Sequence, residues 1–308
     1  MRFLFWNVGD RTAENPDLPT LVSRLGATYL PDLIVLFEAG NAWDSKNQDV
    51  KNRTRDLGTT LCRDLSSVGK ENYGQVDIQI RGGLLLTSLP NRSVKPVPLQ
   101  SLPPLGGRRG EDRDRRRLDA VHLTGADPEI LVFMVHAPSK LHADDLDQQL
   151  FFAKLGEVIR QAEKDMSIDH SIIIGDLNAD PFEASIAGAP FLHASMSREL
   201  GDHADRTVRG KKYGKGFYNP MWSRFGDETD GPAGTYFYNS GQAHQIYWHM
   251  FDQVLLRPGL VRPFNRLGPI RIIDEVLAGR SLAQELMKRR KRTELRPDHL
   301  PVLFDLDV

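Results

Sequence analysis

Two polar side chains that could do chemistry lie two residues apart at the end of an apolar run. Residues 170–181 contain three consecutive isoleucines, which predict a strand buried on both faces, and then a glycine at which the chain can turn. Asp176 and Asn178 follow, and on an extended segment their side chains would point to the same side and could share a substrate or a metal ion. Because Gly, Asp, Asn and Pro are also the usual turn residues, this segment alone is equally consistent with a simple turn.

Three further candidates stand at the ends of other predicted strands. The apolar segment 3–8 delivers Asn7, the segment 32–38 ends in Glu38, and the segment 129–140 contains His136 where its apolar run stops. An acid directly after a buried strand is hard to explain by solubility alone, although Glu38 could also open an exposed turn. A lone histidine in an apolar segment is more often a core residue, but the position of His136 at a strand end favours a site.

An acid and a histidine complete the candidates near the C-terminal end of the sequence. Asp252 lies among apolar residues in the predicted strand 248–256, so its carboxylate should have a dedicated hydrogen-bonding partner. His299 follows Asp298 in the segment 296–302.

The order of these residues resembles the endonuclease/exonuclease/phosphatase superfamily, also called deoxyribonuclease I-like. Gly-Asp-Leu-Asn at 175–178 is similar to its central motif, and Gly-Thr followed by aromatic residues at 234–238 is similar to a second element. Residues 297–302 resemble its closing Ser-Asp-His element, with Pro297 in place of the serine. The resemblance covers nearly the whole chain and implies a single domain, residues 1–308. The implied fold is a four-layered α/β sandwich in which two mixed β-sheets pack face to face between flanking helices, with the active site at one edge.

The resemblance also implies a metal site. In the superfamily an Asn after the first strand and a Glu after the second belong to that site, and Asn7 and Glu38 match them. With Asp298 they form a set of hard oxygen ligands, which suits Mg²⁺ or Mn²⁺.

Catalytic roles follow from the same resemblance. Asp176 would orient or deprotonate the attacking water, and Asn178 would hold a phosphate oxygen. Asp252 would orient His299 for general acid–base work, while His136 would stabilise transition-state charge or protonate the leaving group. Members of the superfamily differ over which His or Asp acts as the base, and that choice stays open here.

Three basic segments could contact nucleic acid, although each has an ordinary structural explanation. Clustered arginines at 108–117 are typical of a solvated loop, the cations and rings at 209–222 could be a loop anchored by core aromatics, and the cations at 288–292 could complement a helix C-terminus. Alternatively, such segments grip phosphates and unstacked bases. The candidate contacts are Arg115, Arg116, Arg117, Lys211, Lys212, Arg289 and Arg290.

Bulk composition limits the classes of function. The chain has 308 residues, 40% of them hydrophobic, and a formal net charge of −1, so any attraction to nucleic acid must be local. The single cysteine, Cys62, excludes an internal disulfide and suits a reducing compartment. Since no apolar run approaches the roughly 20 residues of a membrane span, we expect a cytoplasmic protein.

Three functions compete on this basis. A metal-dependent nuclease that hydrolyses DNA or RNA is favoured by the local basic segments. The alternative is a phosphatase or phosphodiesterase that acts on a small phosphoester or a phospholipid headgroup. A non-catalytic binding module is disfavoured, since such a chain would not need polar groups at every strand end.

The sequence pattern predicts further secondary structure. Helices are expected over 20–29, 142–164, 183–187 and 273–287, with Leu146 and Leu150 on the buried face of the second. Strands are expected over 77–80 paired with 83–87, over 118–123 and over 304–308, and residues 90–110 should form a surface loop.

Overall fold

The computed structural model describes most of the chain. The described residues are 1–9, 17–39, 48–69, 72–80, 82–102, 117–141, 143–202, 206–228, 230–239, 241, 245–266, 268, 270–277, 279–288 and 297–308. Four of the predicted nucleic-acid contacts, Arg115, Arg116, Arg289 and Arg290, lie outside these ranges. Among the described helices, none combines the length and apolar character needed to cross a bilayer.

Short strands and a few longer helices alternate along the chain. The strands are β1 (Arg2–Asn7), β2 (Leu33–Phe37), β3 (Gly74–Val76), β4 (Leu84–Thr87), β5 (Val94–Pro96), β6 (Leu118–Leu123), β7 (Ile130–His136), β8 (Ser171–Asp176), β9 (Ala194–Ser195), β10 (Arg206–Val208), β11 (Lys211–Tyr213), β12 (Phe217–Tyr218), β13 (Tyr236–Phe237), β14 (Trp248–His249), β15 (Asp252–Leu256), β16 (Arg271–Ile272), β17 (Glu275–Leu277), β18 (Arg280–Ser281) and β19 (Val302–Asp305). The α-helices are α1 (Leu18–Tyr29), α2 (Gln48–Val68), α3 (Asp145–Met166), α4 (Ala184–Ala187), α5 (Arg198–Asp202), α6 (Val261–Arg266) and α7 (Leu282–Met287).

Two mixed sheets form the centre of the fold. One has the strand order β16-β19-β1-β2-β4-β3, and the other has the order β5-β6-β7-β8-β15-β12-β9. Each contains a central parallel pair, β1 with β2 and β7 with β8. Because parallel strands end at the same edge of a sheet, each pair delivers two consecutive strand ends side by side.

Alternating side chains divide the apolar core into three layers of contact. On β1, Phe3 and Phe5 face the second sheet, where they join Val132 and Ile172 in one cluster. The alternate residues pack against α1 and α2, and the outer face of the second sheet packs against α3. This arrangement confirms the predicted four-layered sandwich with two mixed sheets and flanking helices.

Several predicted elements differ from those observed. The strand predicted at 77–80 is wrong, since β3 pairs with β4 through residues 74–76, and the carboxylate of Asp119 accepts hydrogen bonds from the backbone N–H groups of Gln79 and Ile80 instead. The predicted loop 90–110 contains β5, which pairs with β6. The predicted strand 248–256 is interrupted, because the N–H of Met250 donates to the side chain of Asp180.

Two helix predictions also need correction. Residues 273–287 form the β17–β18 hairpin and the short helix α7, because Gly279 turns the chain with φ +75° and Ser281 caps the helix by accepting from the N–H of Gln284. Helix α3 begins after its N-cap, Asp144. Leu146 and Leu150 are 63% and 58% exposed, so they do not belong to its buried face.

Close packing requires a glycine at position 175, directly before Asp176. Gly175 has φ +156°, and a Cβ atom there would lie 1.8 Å from the carbonyl oxygen of Val135 on β7. We expect Gly175→Ala to lower the free energy of unfolding by about 3 kcal/mol, the upper end of the usual cost of overpacking, since a backbone atom in a central strand cannot move away easily. Urea unfolding measures the change.

Gly210 provides the matched control. It also has a left-handed φ, +76°, but a Cβ there would meet nothing within 4 Å. Gly210→Ala should therefore cost only the about 1–2 kcal/mol of the backbone conformation. Equal losses in the two variants would contradict the packing explanation.

Candidate active site

Four candidate side chains meet where the central strands of both sheets end. Asn7 ends β1, Glu38 follows β2, His136 ends β7 and Asp176 ends β8. His136 and Asp176 are register partners in the parallel pair. The two sheets are joined at this edge by the amide of Asn7, whose Nδ2 donates to Asp176 Oδ2 at 2.9 Å.

The carboxylate of Asp176 is the centre of the cluster. It is buried, and its Oδ2 lies 3.9 Å from Nε2 of both His136 and His299. Its Oδ1 accepts the backbone N–H of Asn178 at 2.9 Å. One carboxylate oxygen therefore faces two imidazoles and an amide, an arrangement able to hold a small polar molecule such as water.

His299 is fixed by a fully buried acid, Asp252. Its Nδ1 lies 2.7 Å from Asp252 Oδ2. Because a carboxylate only accepts hydrogen bonds, Nδ1 must carry a proton. The other ring nitrogen, Nε2, faces Asp176. The backbone N–H of Asp252 donates to Thr235 Oγ1, and the indole of Trp6 donates to the carbonyl of His299. The contact expected for Asp252 is thus present, while the catalytic role of the pair stays a prediction.

Electrostatics favour a charged His299. Burial disfavours the imidazolium, but the charges of Asp252, Asp176 and Asp298 outweigh it and raise the pKa of His299 to about 10. Burial also raises the pKa of Asp252 to about 6, against the opposing charge of His299. At neutral pH the pair is therefore an imidazolium with a carboxylate.

His136 is held beside Glu38. Its Nε2 lies 3.3 Å from Glu38 Oε1, and its ring stacks on Phe37 with centroids 5.5 Å apart. Burial opposes the charged ring, yet the hydrogen bond and charge of Glu38, with the charge of Asp176, raise the pKa of His136 above its ordinary value. Arg117 is also brought to this edge, where its guanidinium donates to the carbonyl of His136 at 3.3 Å.

Asn178 reaches the site by a turn and not along an extended strand. Strand β8 ends at Asp176, and Asn178 has φ +46°. Its Nδ2 donates to the carbonyl of Ala137, and its own carbonyl accepts from Gln148. The side-by-side geometry that an extended segment would give is therefore not observed, although Asn178 stays next to Asp176.

Among the described residues, Asp176, Asp252 and His299 form a group of possible metal ligands. One ligand atom from each lies within 4.8 Å of the others, so this buried cluster could hold a metal ion. The residues predicted from the sequence to bind metal lie around it. Asn7 Oδ1 accepts from the N–H of Gly9, and a Cβ at Gly9 would lie 2.5 Å from Asp298 Oδ1, so the amide of Asn7 and the carboxylate of Asp298 are neighbours.

These donors fit a hard cation. Asn7, Asp176, Asp298 and Glu38 supply amide and carboxylate oxygens at one edge, and Mg²⁺ or Mn²⁺ prefers such ligands to the nitrogen and sulfur sets of zinc sites.

Lys211 and Lys212 do not lie at this edge. Their hairpin, β10–β11, precedes β12, which pairs with β15 at Leu256, the end of that strand opposite Asp252. Lys215 then binds Asp169, just before β8 begins. The predicted contacts of Lys211 and Lys212 with nucleic acid therefore concern the far end of the sandwich.

Sequence reasoning assigned no role to Asp180 or His249, which also meet near the site. His249 Nδ1 lies 2.8 Å from Asp180 Oδ2, and Asp180 is 2% exposed. The one available signal was an acid and a histidine next to recognised motifs. Nothing in the sequence connects two residues that lie 69 positions apart.

Comparisons with known proteins find similar folds among solved structures. No protein-family model matches the sequence, and no curated protein does. A 3′ phosphatase, NExo from Neisseria, bound to a product DNA hairpin, is 18% identical with a TM-score of 0.53, and all of both chains is covered. An endonuclease/exonuclease/phosphatase family protein from Leptotrichia buccalis is 12% identical with a TM-score of 0.57, again over all of both chains. Another from Bacteroides thetaiotaomicron is 12% identical with a TM-score of 0.52, covering 99% of this chain and 97% of that one.

The pKa of His299 predicts how stability depends on pH in a chelator. The folded value, about 10, lies above the ordinary 6.5, so the stabilisation is complete below pH 6.5 and is lost as the pH rises towards 10. The free energy of unfolding should fall by up to about 1.4 kcal/mol per pH unit in this window. Urea unfolding at several pH values measures this slope.

His299→Gln is the comparison. It removes the titrating ring, so its slope between pH 6.5 and 10 should be shallower than that of the wild type. Since other titrating groups contribute to both proteins, only the difference between the slopes counts. Parallel curves would show that the Asp252–His299 pair does not carry the predicted charge.

Proposed function

Since the chain has the fold of the endonuclease/exonuclease/phosphatase superfamily, we propose that residues 1–308 form a divalent-metal-dependent phosphodiesterase that hydrolyses DNA or RNA. The observation that carries this proposal is the position of Asp176 Oδ2, equally distant from His136 and His299 at the joined strand ends. Hydrolysis of a phosphodiester requires an oriented water, charge stabilisation at the phosphoryl oxygens and a proton for the leaving oxygen. This cluster contains a group suited to each.

Oxygen ligands at the edge would hold the metal ion. Asn7, Glu38 and Asp298 are the candidate ligands, with the Asp176 cluster beside them. When bound, Mg²⁺ or Mn²⁺ would neutralise charge on the phosphate.

Side chains of the protein would orient the water, donate protons and bind the phosphate. Asp176 accepts from the attacking water and orients it, because the carboxylate is the acceptor that faces both imidazoles. His299, kept protonated by Asp252, donates from Nε2 to a phosphoryl or leaving oxygen. His136, which lies beside Glu38, stabilises transition-state charge or protonates the leaving group. Asn178 holds a phosphate oxygen from the turn after β8.

A nucleic acid substrate is supported at two points. Arg117 lies at the catalytic edge beside His136, and the structurally similar Neisseria protein is bound to a DNA hairpin. The second candidate is a phosphatase or phosphodiesterase for a small phosphoester. It is favoured by the position of Lys211 and Lys212 at the far end of the sandwich, where they add no charge to the site.

Activity assays distinguish these functions. Plasmid DNA, single-stranded DNA, structured RNA and a small phosphate diester are each incubated with Mg²⁺, with Mn²⁺ and with a chelator. We expect cleavage of a nucleic acid that the chelator abolishes, and a loss of about 10²–10⁴-fold in kcat for His299→Ala, because general acid–base catalysis is worth that much.

His122→Gln is a matched control. His122 also pairs with a carboxylate, Glu129 at 2.9 Å, but it lies where β6 pairs with the start of β7, away from the catalytic edge, and should retain full activity. Turnover of the small diester alone would favour the second candidate. Full activity of His299→Ala on every substrate would contradict a catalytic role.

Metal binding is a separate prediction. Titration with Mn²⁺ should raise the melting temperature, since a ligand that binds only the folded state stabilises it. Glu38→Gln and Asp298→Asn should weaken the apparent affinity by about 10-fold or more. Glu129→Gln, at the opposite end of the second sheet, is the control, and an affinity unchanged in all three variants would place the metal elsewhere.

A further inference from the structure

A second histidine–aspartate pair lies beside the candidate active site. The carboxylate of Asp180 is almost fully buried and accepts twice, from His249 Nδ1 at 2.8 Å and from the backbone N–H of Met250 at 2.8 Å. Because the carboxylate accepts, the proton lies on Nδ1, and the ring is fixed in one orientation.

The other ring nitrogen of His249 is available to a ligand. No group in the described part of the chain hydrogen-bonds to Nε2, and the side chain is 18% exposed. Asp180 thus orients a partly exposed ring whose Nε2 has no hydrogen-bond partner among the described residues.

This pair lies next to the catalytic cluster. The ring of Tyr236 is 4.6 Å from that of His299 and 6.5 Å from that of His249, centroid to centroid. Phe251 stacks on both Tyr236, at 5.3 Å, and His249, at 4.7 Å. The two histidines therefore flank one group of rings.

A cation lies near one of these rings, that of Phe251. The ammonium of Lys140 lies 5.8 Å from the Phe251 ring centroid and forms an ion pair with Glu183. The same Glu183 oxygen accepts the backbone N–H of Asp180 at 2.8 Å, so Lys140 and His249 are positioned by one turn after β8. The Lys140 side chain is 41% exposed and can contact an anion.

We propose that His249 and Lys140 form a subsite for the nucleotide next to the scissile phosphate. Lys140 would contact its phosphate, Nε2 of His249 would hydrogen-bond to its sugar or phosphate, and the partly exposed ring of Tyr236 would face its base. The substrate is then a polynucleotide strand and not a phosphomonoester or a small diester. This inference rests on the proposed phosphodiesterase function and names its substrate class.

Two substitutions test the subsite with little disturbance of the fold. His249→Asn retains a donor for Asp180 where Nδ1 was and removes Nε2. Lys140→Met keeps the apolar stem over Phe251 and removes the charge. The kcat/KM values of both variants are measured on a single-stranded oligonucleotide and on bis(p-nitrophenyl) phosphate with Mg²⁺ or Mn²⁺, after thermal unfolding has confirmed that they fold.

The expected result is a change of selectivity. For each variant the ratio of kcat/KM on the oligonucleotide to that on the small diester should fall about 10-fold, which corresponds to one lost hydrogen bond to a charged group. Lys140→Met should also reduce the dependence of oligonucleotide KM on salt, because one phosphate contact is gone. Running DNA and RNA oligonucleotides in parallel distinguishes the two contacts of Nε2, since a larger loss on RNA identifies the 2′-hydroxyl.

The possible outcomes distinguish a failure of the proposed subsite from a failure of the proposed nuclease function. If the wild type cleaves oligonucleotides but both variants keep the wild-type ratio, the subsite is wrong while the nuclease function stands. Equal losses on both substrates also overturn it, because His249 would then act through the catalytic cluster. If the wild type cleaves no nucleic acid, the proposed function itself fails. His122→Gln should keep the wild-type ratio throughout.

Discussion

The site depends on one buried carboxylate that joins the two sheets. Asp176 is 2% exposed, and a buried charge is costly unless donors surround it. Its donors come from different layers, Nδ2 of Asn7 in the first sheet and the N–H of Asn178 in the turn after β8. A hydrogen bond to a charged group typically contributes about 1.5–3 kcal/mol. The packing of the two sheets and the position of Asp176 are therefore maintained by the same contacts.

Most of this framework could be predicted because it depends on local patterns. A continuous apolar run predicts a strand buried on both faces, and a polar residue that stops the run is placed at the strand end. Asn7, His136 and Asp176 were located in this way, and the central parallel pairs explain why they meet. The family resemblance supplied what periodicity cannot, the pairing of Asp252 with His299.

The remaining features depend on tertiary contacts that leave no local signal. Residues 77–80 look like a strand, but their N–H groups are taken by Asp119 from the other sheet. Leu146 is apolar but exposed, because the buried face of α3 runs through Gln148, Phe151 and Leu155. Lys211 lies in a segment whose mixture of cations and rings suits a nucleic-acid contact, yet the order of the strands decides which end of the sandwich it occupies. Composition indicates what a segment can bind, and topology decides where.

The Gly-Thr-aromatic element shows how a short motif can have a physical reason of its own. Thr235 is fully buried, and its hydroxyl accepts from the N–H of Asp252 while its carbonyl accepts from the N–H of Leu300. Its own N–H donates to the carbonyl of His249. Gly234 makes this approach possible, since a Cβ there would lie 2.6 Å from the same carbonyl oxygen. One threonine thus fixes the backbone beside both histidine–aspartate pairs, since it bonds to the backbone of Asp252, of His249 and of Leu300, the residue after His299.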